Sequence, residues 1–363
     1  MSSKKFISRI LQEPEYKWCD GEGRLITPSA AEIWKQAVSR INIFAGPNNW
    51  ISFCSAFMLI AMSAFLVNFL FFHFNWWFAV LAVFYSICVM GTHGTIWYHR
   101  YCTHKSYKFA HPLWRIITQN LVIRTLPEEI YVVSHHVHHS LSDEPGDPYN
   151  PEAGLLYCML AEFNHQRIAP NLSENDYAKV KHFLSNSGTQ LNSFKQYRFW
   201  GSVMTPFYTI GLLLLNWTFW YAVLYLVGGH SLACALFSAA YLWFIGVRAF
   251  NYTGHGKGHA LHQDGVDFDR SNLSINQMQP GMMTGEWHNN HHLFPGSARA
   301  GFLKYQLDLA WIYIFCLYKV GMVKSYKNSK SEFLKKYYQC GEVNSMKPIT
   351  GDAYTQQQLP GVL

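Results

Sequence analysis

"NWWFAVLAVFYSICVMGTHGTIWYH" (residues 75–99) contains no Asp, Glu, Lys or Arg and closes on a histidine. As a helix, Asn75 to Tyr98 runs about 36 Å, more than the ~30 Å of a hydrocarbon core. Its end therefore projects into water and carries His99 just above the bilayer. "ISFCSAFMLIAMSAFLVNFLFF" (51–72) precedes it. A second pair follows, "VMTPFYTIGLLLLNWTFWYAVLYLV" (203–227) and "SLACALFSAAYLWFIGVRAFN" (231–251). We read four transmembrane helices, at about 51–72, 75–98, 203–227 and 231–251, arranged as two hairpins. Four buried helices of a soluble core are the competing reading. Soluble domains run near a quarter charged and rarely offer two such pairs; this chain is 50% hydrophobic and 14% charged. None of the runs is N-terminal with a cleavage site, so none reads as a signal peptide.

Charge sets the orientation. Seven of the 29 Lys and Arg precede residue 50, ten lie between 100 and 198, and twelve run from Arg248 onward. The links within each pair, near His73 and at Gly228 to His230, hold none. By the positive-inside rule both termini and the central loop are cytoplasmic. The net charge of +7 then faces anionic headgroups. No motif for nucleic-acid binding accompanies it. The eight cysteines include no CxxC pair and read as free thiols in a reducing compartment.

Three segments follow: a polar interfacial one (1–49), a membrane domain (50–325) and a polar tail (326–363). In the first, Ser29 and Glu32 form an S-x-x-E capping box that starts a helix along the membrane surface. Within the second, 112–133 and 307–323 are semi-apolar and suit helices packed on the cytoplasmic domain or lying in the interface.

Three histidine clusters lie on the cytoplasmic side: "HRYCTH" (99–104), "HHVHH" (135–139) and "HNNHH" (288–292). Positions i, i+3 and i+4 share a helix face. His135, His138 and His139 have this spacing, as do His288, His291 and His292. His99 and His104, five apart, straddle a helix end. In "NYTGHGKGH" (251–259) Asn251 and His255 are i and i+4, while His259 and His262 compete for the same role. His136 points off the shared face. His73, His93, His111, His165, His182 and His230 stand alone and read as ordinary histidines. Eight or nine imidazoles exceed what one ion takes, so two metals are implied. Imidazole suits Zn, Cu, Fe or Ni, and redox work on C–H bonds at a lipid-facing site favours iron.

From "THGTIWYHRYCTH", "SHHVHHSLSDEPGDPYN", "NYTGH", "TGEWHNNHHLFPGSAR" and "LDLAWIYIFCLYKVGMV", the chain resembles the membrane fatty acid desaturases, the acyl-CoA type in particular, over about 50–325. The resemblance implies an all-α, four-span membrane protein with a cytoplasmic helical di-iron cap. It implies that one iron takes His99, His104, His135, His139 and His291. The second would take His138, His255, His288, His292 and a water held by Asn251. It also implies an O₂-dependent reaction that takes two hydrogens from adjacent methylenes of a long acyl chain, on CoA or lipid, and leaves a cis double bond. Three positions depart from the family. Val133 and Ser134 stand where an Arg-Asp pair grips CoA, and Arg248 stands where the family has Trp, which makes Arg248 a candidate for head-group binding.

A hydroxylase or ketolase on the same scaffold is the nearest alternative. A heme or metal-transport protein is a distant one, since it wants histidines inside the spans. No flavin or nicotinamide fingerprint and no cysteine cluster appears. No histidine follows His292, which excludes a b-type cytochrome fused there. An external electron donor is therefore expected, a ferredoxin or b-type cytochrome fed by an NAD(P)H reductase.

Overall fold

The computed structural model describes residues 3–164, 167–254, 287–304 and 306–337. The protein is mainly α-helical. Helix α1 (Ala30–Ile41) opens on the expected capping box, with Glu32 accepting from the Ser29 backbone N–H at 2.8 Å. It buries Ile33, Ala37 and Arg40 and leaves Trp34 and Val38 exposed. Helix α2 (Trp50–Phe72) is apolar all round, as a helix facing lipid must be.

Helix α3 spans Trp76–Thr103. The Asn75 side chain caps its start, accepting from the Trp77 and Phe78 N–H groups at 2.9 and 3.2 Å. Its winding is not uniform. Tyr85–Met90 and Thr95–Thr103 are π-helical, with i→i+5 bonds. The chain then turns into strand β1 (Tyr107–Phe109). After a short helix at Pro112–Gln119, helix α4 (Glu128–Leu141) begins behind Pro127, which is extended at φ −67°, ψ 145°. The semi-apolar stretch 112–133 is thus two helices with a break, because proline disfavours helical backbone in the residue before it.

Helix α5 (Pro206–Thr253) corrects the expected span count. Among the described residues three helices, not four, are long and apolar enough to cross a membrane: Pro47–Phe72, Trp76–Thr103 and Pro206–Thr253. The third and fourth predicted spans join directly at Gly228–Gly229 into one 48-residue element, with no loop between them. Only Gly228 (φ −146°, ψ 18°) and Gly229 (φ 70°, ψ −171°) depart from helix, so two helices meet there at a kink. The positive φ at Gly229 is a conformation that side chains resist. The Trp217 and Phe237 rings lie 5.7 Å apart across this kink. Along a straight helix those residues would be about 30 Å apart.

Helices α6 (His288–Leu293) and α7 (Leu309–Lys319) and strand β2 (Val323–Tyr326) follow. β2 pairs antiparallel with β1, Tyr107 opposite Tyr326. Two buried ion pairs fix the metal end of the bundle. Arg124 grips both oxygens of Glu128 at 2.7 Å, and Arg100 reaches Asp308 at 2.8 Å. The seven cysteines among the described residues are all free.

Candidate metal centre

Each histidine cluster sits on a differently built element. The last turn of α3 is π-wound, so the His104 N–H bonds the His99 carbonyl at 3.1 Å. The wider winding brings two residues five apart onto one face, with ring centroids 5.0 Å apart. On α4 the i, i+3, i+4 spacing puts His135, His138 and His139 together, and His136 turns away to stack on Phe183 at 4.2 Å. The third cluster rides on the short α6. Trp287, at φ 58°, enters it in a left-handed conformation and donates its indole N–H to Leu307 O at 2.7 Å. Asn290, buried behind the histidines, donates to Ala300 O and Gln306 Oε1. Asp308 ties this loop to α3, for it accepts from Arg100 and from the Ala300 and Gly301 amides.

The three elements converge. His99, His104, His135, His139 and His291 form one group, and His138, His288 and His292 a second, with ligand atoms within 4.8 Å of one another in each. Nε2 atoms face Nε2 atoms: His99 to His291 at 2.7 Å, His139 to His291 at 2.9 Å, His135 to His139 at 3.0 Å and His288 to His292 at 3.1 Å. Donors about 2.1 Å from a shared ion and at right angles to each other are about 3.0 Å apart. His104 Nε2 is buried with no hydrogen-bond partner among the described residues. Burial pushes His104, His135, His139 and His291 well below the usual histidine range, and neighbouring imidazoles push the same way. The rings are therefore neutral, with lone pairs available to a metal. An all-imidazole donor set of this kind fits a pair of iron ions.

One residue escaped the sequence reading. Asp147 is fully buried and accepts from His138 Nδ1 at 2.9 and 3.0 Å. It also accepts from the Asp143 and Tyr149 backbone N–H groups, which hold the carboxylate still. Holding the proton on Nδ1 leaves His138 Nε2 free to ligate. The signal was the Asp in "EPGDPYN", close behind a metal-type histidine face.

A cavity opens beside the two groups. Its walls include His99, His135, His138 and His288, with Gly94, Thr95, Trp243 and Val247 toward the spans. Asn251 and Arg248 also line it. Arg248 is buried, ion-paired with Glu162, and lies over the Phe244 and Phe163 rings at 4.1 and 5.0 Å. Val133 and Ser134 are buried within α4. His255, His259 and His262 lie outside the described residues.

Residues 74–311 match the family model for fatty acid desaturases. The chain belongs to this family. Delta-9 desaturase-like 1 protein of Arabidopsis thaliana is 29% identical over 242 residues, covering 66% of this chain and 72% of the relative. Icosanoyl-CoA 5-desaturase of Limnanthes douglasii is 25% identical over 272 residues, 70% and 67% of the two chains. Delta-9 acyl-lipid desaturase 1 of Arabidopsis thaliana is 25% identical over 266 residues, 70% and 77%. This desaturase is an oxygen-dependent oxidoreductase acting on acyl chains, and its histidine groups are consistent with a di-iron centre.

Proposed function

We propose that this desaturase introduces a cis double bond into a long acyl chain carried on CoA or on a lipid, and reduces O₂ to water. The convergence of eight imidazoles into two groups at one wall of a buried cavity carries this reading. One iron would be held by His99, His104, His135, His139 and His291. The second would be held by His138, His288 and His292, with His255 and a water on Asn251 as the further donors that the family resemblance implies. Bound iron supplies the oxygen chemistry that removes hydrogen from unactivated methylenes. The protein's own part is positional. Trp243 and Val247 wall the acyl chain, the buried histidine faces keep water away, and Asp147 fixes the tautomer of His138. Arg248 sits where the polar end of the acyl group would pass.

The relatives' names include both a CoA and a lipid substrate, so either carrier remains in the proposal. We further propose that the two halves of α5 cross the membrane separately, making four spans in two hairpins. The Trp217–Phe237 contact supports this. Both termini and the metal centre are then cytoplasmic, on the charge distribution, and the electrons come from an external ferredoxin or b-type cytochrome. The test is expression in a host that lacks desaturation, followed by fatty-acid mass spectrometry. A product two hydrogens lighter than its precursor is expected. A product heavier by one oxygen would assign a hydroxylase instead.

A further inference from the structure

A charged surface lies beside the first histidine cluster. Past the end of α3 the chain runs through Lys105 and Ser106, and the Ser106 carbonyl accepts from the Lys327 N–H at 2.8 Å. The Lys327 carbonyl in turn accepts from Ala298 N–H at 2.9 Å, and Ser329 N–H bonds Ser297 Oγ at 3.1 Å. The segment after β2 is thus laid across the loop that follows the third histidine cluster. Five cations gather on this crossing: Lys105, Arg299, Lys304, Lys327 and Lys330. Lys327 neighbours Lys105 through Ser106, and Lys330 lies by Arg299 through the Ser329–Ser297 bond. Lys327 depresses the Lys105 ammonium, though less than burial does, and Arg299 and Lys304 add to the effect of burial on Lys330. Lys304 and Lys327 are exposed. The carboxylate beneath them, Asp308, is buried and already satisfied by Arg100 and three backbone amides.

The patch faces away from the lipid. From Tyr107 the chain descends along α3, with the Tyr107 hydroxyl bonding Ile96 O at 2.9 Å and His93 Nε2 meeting Thr118 O at 2.8 Å. Leu113, Ile116 and Ile117 are exposed on that descending side, and Phe109, Leu317 and Met322 line an apolar pocket there. Lys105 and Lys327 stand at the opposite end of the ribbon. Lys105 directly follows His104, and Lys327 is tied by its backbone N–H to Ser106, two residues after His104.

We infer that this patch is the docking surface for a small acidic electron-carrier protein, which delivers electrons one residue away from His104. The inference rests on the reading of an external donor. Charge complementarity steers such encounters and makes them salt-dependent. An anionic membrane surface is the competing occupant, and the position of the patch away from the lipid-facing side argues against it.

The test uses the full-length protein in nanodiscs of zwitterionic lipid and a plant-type [2Fe–2S] ferredoxin as probe. Ferredoxin Kd is measured for wild type, Lys304→Glu, Lys327→Glu and a remote control, Lys195→Glu. Vesicles containing phosphatidylserine are measured in parallel. Each patch variant is expected to raise the ferredoxin Kd at least tenfold at low salt, with the control unchanged. Turnover with a small chemical reductant should remain near wild type, since neither side chain touches the histidines. An unchanged ferredoxin Kd overturns the proposal, and so does loss of vesicle binding alone. Wild-type turnover on NADPH and O₂ without any carrier would instead remove the external-donor reading, and the docking surface with it.

Discussion

Asp147 and Glu129 are both buried carboxyls on or beside α4, and their surroundings give them opposite roles. Asp147 accepts from an imidazole and two amides. It therefore works as an anion that keeps the His138 proton on Nδ1. In Asp147→Asn the amide can donate to Nδ1 and drive the proton to Nε2, where it blocks ligation. Such losses typically cost 10–100-fold in metal affinity. Elemental analysis should show iron falling from about two per chain toward one in the variant, on the proposed partition. Among the described residues no cation lies beside Glu129. Its carboxyl accepts from the Met204 N–H at 2.7 Å and also from the Val203 N–H. Burial raises it from 4.5 to about 7, against a smaller opposing effect of the hydrogen bonds. A raised carboxyl contributes stability that is complete below its unfolded pKa and is lost as pH rises through about 7. The shift corresponds to about 3 kcal/mol. Glu129→Gln keeps an acceptor for Met204 and removes the titration. It should match wild type in denaturation at pH 5 and exceed it at pH 8; equal stability at both would refute a buried, ionisable Glu129.

Helical spacing made the shared faces of α4 and α6 legible, because i, i+3 and i+4 coincide on any α-helix. The same rule could not place His99 with His104. That juxtaposition needs π winding, which no periodicity in "TIWYHRYCTH" announces, since the extra residue per turn is imposed by packing against α4 and α6. The β1–β2 ribbon was equally invisible, being only three and four residues long. Packing between α3 and α5 also depends on a detail that composition hides. A Cβ built on Gly94 would stand 2.4 Å from Trp243 Cζ2. The two helices approach closely only because residue 94 has no side chain, and Trp243 thereby closes the cavity toward the spans. Gly94→Ala must push the indole aside, and such overpacking costs about 1–3 kcal/mol. The expected result is a lower melting temperature and a changed acyl-chain-length profile in the products. Adding Trp243→Phe should restore much of the lost stability. A Gly94→Ala protein with wild-type melting and product profile would show that the contact is slack.

At the scale of the whole molecule, the hydrophobic pattern was readable but the separation of its last two runs was not. Gly228 and Gly229 interrupt an otherwise continuous helix, and only the tertiary contacts reveal that the chain doubles back. Those contacts collect at the end remote from the histidines. Ser231 Oγ donates to His73 O at 2.6 Å, the His73 and His230 rings meet edge-on at 4.7 Å, and Asn68 and Tyr221 hold the two nitrogens of His230. The α2–α3 turn and the α5 kink are thereby clipped together. If each half of α5 crosses the membrane, both clipped turns emerge on the face opposite the metal centre. Trp76 and Leu226 flank these turns and are 76% and 83% exposed. Trp76→Cys and Leu226→Cys, made with Cys316→Ser to remove the thiol that is exposed among the described residues and with Cys340→Ser, should both react with a membrane-impermeant maleimide added from that opposite face. Cysteines placed at Lys304 or Lys327 should react only from the cytoplasmic face. Labelling of residue 226 from the cytoplasmic face would mean that the α5 turn does not reach the opposite face, and the four-span reading would fall.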